Sequence, residues 1–402
     1  MRRYLPLAII VIILISATVT VLMTRRGKDP EPAPTDQPVL SDLAIPPNWQ
    51  ELERYQQTID RDTFERLLTS FYSLPGAWTG KLSLNATAVE VVKQMAQPDE
   101  TYSLAYADAS EPLPRLPALD DLHIAIDPGH IGGEFAEIEQ RNFDPTPDDP
   151  TDIPVREGDL TLLTAKHLKP RLEALGATVT LVRDEALPVT DTSPDDFLAD
   201  HPDRRTAEQL FYRTAEIRAR ADLINHVIQP DLVLCLHYNA DAWYGENPWA
   251  RDNHFHLILH GAYMEGELAL DDQRFEMMRH LLTRTSEQVL ALAQTISDHF
   301  LAETDLIPFH YRPTAPAIQM DPLRPIYARN LLANRLYQAP TIFLEPYVMN
   351  HRDTFARVQE GDHDGLRLVN GELRPSLPRE YAMILAEAIR IHFEERDGSP
   401  ES

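Results

Sequence analysis

Three short apolar runs in this sequence end in residues that bind metal ions or carry protons. Residues 122–126 lead into Asp127-Pro128-Gly129-His130, residues 232–236 into His237-Tyr238-Asn239, and residues 341–344 into Glu345. A fourth polar segment, Val155-Arg156-Glu157-Gly158-Asp159-Leu160, stands where a helical pattern begins. Two histidines and one glutamate with an open fourth position form a known catalytic zinc ligand set. Such a centre needs neutral imidazoles and an ionised carboxylate, and it acidifies water and polarises a carbonyl. A further carboxylate, off the metal, must then take a proton from water and pass it to a leaving amine. Glu157 and Glu345 are candidates for these tasks, while Glu134, Glu137 and Glu139 lie closer to His130 in the chain and rival Glu157. Each residue taken alone is a weak signal. The chain has 15 histidines, Gly129 serves equally well as a turn glycine, and Pro128 as a strand terminator. HExxH, GxSxG and P-loop patterns are absent.

The elements that must position these residues read as α/β. Residues 122–126, 177–182, 232–236, 254–259 and 341–344 have strand character, and the continuously apolar 232–236 suits a strand buried on both faces. Between them lie helical stripes: Leu168, Leu172 and Leu175 with Gly176 as a C-cap, then Val289, Ala293, Ile296 and Phe300, then Leu377, Tyr381, Ile384 and Ala388. Alternating strands and helices predict a twisted, mostly parallel sheet flanked by helices on both faces. Sites in such sheets assemble at the carboxyl ends of strands, where His130, His237 and Glu345 fall. A Pro/Asp-rich loop over 144–154 and irregular stretches over 241–285 and 303–325 read as insertions, of the kind that form lids or binding loops.

The chain of 402 residues is 43% hydrophobic, enough for a substantial core. A formal charge of -26, from 63 acidic and 37 basic residues, argues against a nucleic-acid partner. The single cysteine, Cys235, excludes an intrachain disulfide and sits in an apolar run as a core residue. Residues 5–23 carry no charge and are long enough to span a bilayer as a helix, so residues 1–26 are expected to be a membrane anchor or signal segment. Residues 27–47 contain six prolines and predict an extended spacer. Residues 48–115 form a small helical or α+β accessory region. Phe64, Leu67, Leu68 and Phe71 mark one helix there and residues 89–95 a second, before Pro112, Pro114 and Pro117 mark a boundary.

The four segments together resemble, in order and in strand context, the four motifs of the zinc-dependent N-acetylmuramoyl-L-alanine amidases (the Amidase_3 family). They are Asp127-Pro-Gly-His130, Arg156-Glu157-Gly-Asp159-Leu160, Leu236-His237-Tyr-Asn239-Ala240 and Phe343-Leu344-Glu345. Leu181-Val-Arg183-Asp184, the arginine-bearing stretch 218–222, and Pro340 and Asn350 around the last motif fit as well. The resemblance spans about residues 121–396. It implies zinc bound by His130, Glu157 and His237, with Glu345 as catalytic base and acid. It implies peptidoglycan as substrate, cleaved between N-acetylmuramic acid and L-alanine, an activator protein as a possible partner, and a catalytic region in the periplasm or cell-wall space. The chain departs from the pattern in Ile131 before Gly132-Gly133, in the 27 positions from His130 to Glu157, and in Pro346-Tyr347 after Glu345. Arg183 and Arg218 are expected to serve structural ion pairs. Alternative expectations are a non-catalytic wall-binding or regulatory module and another zinc peptidase.

Overall fold

The computed structural model describes residues 41, 43–145, 151–241 and 247–398. The expected membrane segment, most of the spacer and the centre of the 144–154 loop lie outside them. Among the described residues no helix is long and apolar enough to cross a membrane. From Ala44 onward the chain forms one unit.

Its main sheet contains β1 (His123–Pro128), β2 (Thr178–Leu181), β3 (Leu232–Leu236), β4 (His254–His260), β5 (Ile326–Arg329) and β6 (Thr341–Glu345), in the order β5-β4-β6-β3-β1-β2. The block β6-β3-β1-β2 is parallel throughout. β4 runs antiparallel to β6, and β5 runs parallel to β4, so the sheet is mostly parallel with a reversed pair at one side. Both faces are covered, and the side chains divide with the two-residue period of a strand. Leu232, Leu234 and Leu236 enter one core and Val233 and Cys235 the other. Ile124 and Ile126 oppose Ala125 in the same way, as Ile342 and Leu344 oppose Phe343.

On the larger face lie α1 (Glu157–Ala174), α2 (Thr285–Glu303) and α3 (Leu377–Gly398), with α3 packed on both others. Their buried residues follow the expected stripes, Leu168 and Leu172, Val289, Ala293, Ile296 and Phe300, and Leu377, Tyr381, Ile384 and Ala388. α1 ends at Gly176, whose φ of +104° is a left-handed turn that suits glycine. On the smaller face lie residues 204–228, which alternate α and π turns, and the short helix Leu332–Leu336.

The N-terminal region differs in one element from expectation. Asp60 caps helix Arg61–Leu67, and Phe64, Leu67, Leu68 and Phe71 are buried along it and the turn that follows. Residues 89–95, expected as helix, instead lie largely in strand Ala88–Gln94, the centre of a three-stranded antiparallel sheet with Leu82–Leu84 and Gln97–Ala105. The reason is that Val89 and Val91, both fully buried, follow a period of two and are β-branched. This sheet shares the large core. The buried Arg274 donates to the carbonyls of Val92 and Lys93 at 2.7 and 3.0 Å, and Tyr72 Oη donates to the carbonyl of His280 at 2.9 Å. Within the stretch 241–285, residues 254–259 form β4 as expected, and helix Asp271–Thr283 adds regular structure that was not expected there.

Two histidines are locked into this core as neutral rings. His260 Nδ1 faces Asn334 Oδ1 at 3.2 Å and its Nε2 the Tyr263 hydroxyl at 3.0 Å. His280 Nε2 faces the Arg335 carbonyl at 2.9 Å and its Nδ1 the Thr285 hydroxyl at 2.8 Å. Burial pushes His280 down to about 3 and His260 well below its ordinary range, the nearby cations adding to the effect. Below about pH 6.5 the unfolded chain therefore binds protons that the folded chain refuses, so stability falls as pH falls. The urea midpoint should drop from pH 6 to pH 5 by the equivalent of at least about 1 kcal/mol. The drop should be smaller in His280→Gln, and an equal drop in that variant would refute the assignment.

Candidate metal centre

Strand register sets up the site. Pro128 of β1 and Leu344 of β6 both pair with Leu236 of β3. The next residue on each strand is Gly129, His237 and Glu345, so these three share one carboxyl edge of the sheet. The Gly129 N–H donates to the Leu236 carbonyl at 2.8 Å, and the His237 N–H to the Leu344 carbonyl at 3.0 Å. Gly129 lies under the His237 ring, and a Cβ there would meet ring atoms at 2.3–2.6 Å. This glycine is thus required by the close approach of an imidazole rather than by a turn. On its other side the ring stacks on Phe343, with centroids 5.4 Å apart.

His130 follows with φ +60°, in the left-handed region that non-glycine residues seldom adopt. Two buried arginines hold the backbone here. Arg220 donates to the Pro128 and His130 carbonyls, each at 2.8 Å, while pairing with Asp127 at 2.9 Å and Glu216 at 2.7 Å. Arg183 donates to the carbonyls of Pro128, Gly129 and Gly158 at 3.1, 3.3 and 2.9 Å. The ion pairing expected of Arg183 is therefore replaced by carbonyl binding. Arg220, which spacing does not single out, is the ion-paired arginine, and Arg218 lies in the field of Asp272 and Asp222.

Glu157 opens α1, where the helix N-terminus favours a carboxylate. Its distance from the strands in sequence is closed by a glycine contact. A Cβ on Gly158 would meet the Gly132 nitrogen at 2.3 Å, so the His130 loop and the start of α1 touch backbone to backbone. The 27-position separation is thereby no obstacle. Glu157 is 3% exposed, and its carboxylate bridges the two imidazoles, Oε1 to His237 Nδ1 at 3.0 Å and Oε2 to His130 Nε2 at 3.2 Å. The Tyr238 N–H also donates to Oε1 at 3.2 Å. Burial pushes this carboxyl up, but His130 and His237 more than reverse that and hold it well below the usual carboxylate range.

Among the described residues, His130, Glu157 and His237 form a group that could hold a metal ion, with ligand atoms all within 4.8 Å of one another. The rivals Glu134 and Glu137 are not in it. Glu139 plays a different part. It accepts from the Ile131 and Gly132 N–H groups at 3.0 and 3.1 Å and stands 3.4 Å from His130 Nδ1, the nitrogen turned away from Glu157. A carboxylate behind a ligand imidazole is the usual support of a histidine-bound metal. One further observation fits a cation here. The Arg141 guanidinium nitrogen stands 3.3 Å from both His130 Nε2 and Glu157 Oε2, in the position where positive charge is favoured. Burial alone would lower His130, yet Glu157 and Glu139 lift it to about 9.

Glu345, partly exposed beside the group, is in the field of all three members. Burial pushes it up to about 6, opposed by His237 and His130 and reinforced by Glu157. Sequence reasoning weighed Glu139 only as a rival ligand and missed Arg141 and Arg220. Their parts depend on which nitrogen or carbonyl faces them, a relation that leaves no spacing.

Two substitutions test the geometry. Gly129→Ala should displace His237 and weaken divalent-metal binding by at least about tenfold in a chelator competition, with far-UV circular dichroism unchanged. Glu139→Gln should weaken it by roughly 10–100-fold. Wild-type metal affinity in both variants would rule out the group as the metal centre.

No family model and no curated protein matches this sequence. Among solved structures, the chain is similar to the N-acetylmuramyl-L-alanine amidase Ami1 of Mycobacterium abscessus, at 16% identity over 67% of this chain and 98% of that one, with a TM-score of 0.39. It is similar to the CwlD amidase of Clostridioides difficile, solved with the GerS lipoprotein, at 12% identity over 68% and 97% with a TM-score of 0.39. It is also similar to the amidase AmiC2 of Nostoc punctiforme, at 16% identity over 69% and 98% with a TM-score of 0.36.

Proposed function

We propose that this chain is a zinc-dependent hydrolase of peptidoglycan that cleaves the amide between N-acetylmuramic acid and L-alanine. The observation that carries the reading is the convergence of His130, Glu157 and His237 at one sheet edge with Glu345 beside them. The choice of bond comes from the four ordered motifs. His130, Glu157 and His237 would hold the zinc, whose chemistry when bound is Lewis acidity toward water and an amide carbonyl. Glu157 would supply the ionised carboxylate of the set, placed at the N-terminus of α1 where the helix dipole favours negative charge. Glu139 fixes the orientation of His130 from behind.

Glu345 is the group that moves the proton. A carboxyl pushed up to about 6 can accept a proton from water near neutral pH and release it to the leaving nitrogen of L-alanine. In this reading residues 121–396 are the catalytic region and 48–115 an accessory region joined to it. Residues 27–47 then form a spacer, and residues 1–26 tether or target the chain to the cell envelope.

Glu345→Gln keeps the size of the side chain and removes its basicity. Hydrolysis of purified sacculi should fall by about 10²–10⁴-fold while zinc content stays at the wild-type level. Muropeptide analysis of the wild-type digest should show stem peptides with a free L-alanine N-terminus. Full activity in Glu345→Gln would overturn the mechanism, and any other new terminus would overturn the choice of bond.

A further inference from the structure

The reversed strand β4 brings a second polar group to the edge that Glu345 occupies. Glu345 of β6 pairs in register with His256 of β4. His256 Nε2 lies 3.2 Å from the hydroxyl of Tyr311, which belongs to the 303–325 insertion, and Arg329 Nη1 donates to the same oxygen at 3.0 Å. None of these three residues belongs to the motifs that suggest the metal centre.

The direction of each hydrogen bond can be worked out from the far end. The Ala240 N–H donates to Asn239 Oδ1 at 2.8 Å, which turns the Asn239 amide nitrogen, a pure donor, toward His256 Nδ1 at 3.5 Å. Nδ1 is then the acceptor of the His256 ring. Burial, with the charge of Arg329, keeps that ring neutral, so its one proton is on Nε2 and points to Tyr311. Tyr311 Oη therefore accepts two hydrogen bonds, from Arg329 and from His256, and both its lone pairs are in use. Its own proton has no acceptor in this set. The ring is held by Phe309 and Tyr327, each with centroids 4.9 Å away, and stays partly exposed within the field of Glu345.

We propose that the Tyr311 hydroxyl is a substrate-binding group, a fixed hydrogen-bond donor beside Glu345 for a carbonyl oxygen of the substrate. The inference rests on the peptidoglycan amidase reading for the nature of that substrate. An N-acetylated sugar joined to a peptide presents several carbonyl oxygens, which accept and never donate. A hydroxyl whose lone pairs are already filled is selective for such an acceptor and discriminates against a donor in the same place.

The test is steady-state kinetics on a soluble disaccharide tripeptide with the zinc-loaded full chain. Tyr311→Phe keeps the ring and removes the proton. KM should rise roughly five- to tenfold, the worth of one neutral hydrogen bond, with kcat within about twofold and zinc content unchanged. Arg329→Met should raise KM less, and the double variant should be no worse than Tyr311→Phe alone, because Arg329 acts through the hydroxyl. An unchanged KM in Tyr311→Phe, or a loss confined to kcat, would overturn the proposal. Calorimetric binding of the same muropeptide to the zinc-loaded wild type and Tyr311→Phe separates the two readings. Binding weakened five- to tenfold without any wild-type turnover would sink the amidase assignment and keep the subsite, and equal binding would sink the subsite.

Discussion

A carboxylate that is 3% exposed and still ionised is the constraint around which this molecule is arranged. Burying an isolated charge costs several kcal/mol, and the Glu157 charge is kept only because everything around it answers to it. Two imidazoles take its two oxygens, a backbone N–H takes a second lone pair, and the first turn of α1 directs its dipole at it. The two imidazoles arrive from different strands, and the Tyr238 N–H follows His237 in the chain. The site is thus an intersection of β1, β3 and α1, and none of the three can shift without leaving part of that charge uncompensated.

Two further layers hold the intersection. Arg220 and Arg183 collect the carbonyls of Pro128, Gly129, His130 and Gly158, which fixes the irregular backbone between strand and helix. Arg220 is itself neutralised by Asp127 and Glu216, and Asp127 also accepts from Tyr337 at 2.6 Å. The glycines supply the other layer by having no side chain. Gly129 makes room for a ring, and Gly132 and Gly158 let two backbones touch. The motif glycines and the buried arginines are therefore two halves of one device, one removing atoms from a crowded place and the other binding the carbonyls left there.

Much of this was readable in the sequence because it follows local periods. The apolar strands that stop at His237 and Glu345 are visible as runs, and the helix stripes on the larger face keep their spacing in the structure. What escaped follows from relations that no period encodes. Residues 89–95 carry β-branched residues at a two-residue spacing within a segment too short for a helical stripe to be tested. Arg218 and Arg220 are equivalent by composition, and only the direction of their helix face makes one a buried pivot. Glu139 is closer to His130 in sequence than Glu157 is, but its chain places it on the outer nitrogen. In the wall of His256, Tyr311 and Arg329, His256 lies on the expected strand 254–259, fully buried in β4, Tyr311 comes from the 303–325 stretch read as irregular, and Arg329 lies on β5, a strand not expected from the sequence.

The joining of the accessory sheet to the rest sets a schedule. Arg274 reaches back 181 residues to the carbonyl of Lys93, and Tyr72 reaches forward 208 residues to the carbonyl of His280. Residues 48–106 are made before the segment around 259–282, on which their apolar face closes. Until then Val89, Val91 and Leu104 stand exposed on a three-stranded sheet with free edges, the arrangement most open to pairing with another chain. The long reach of these contacts also slows the final step, because a large loop must close before either bond forms. The finished fold thus hides how far apart in the chain the two sides of this part of its core lie.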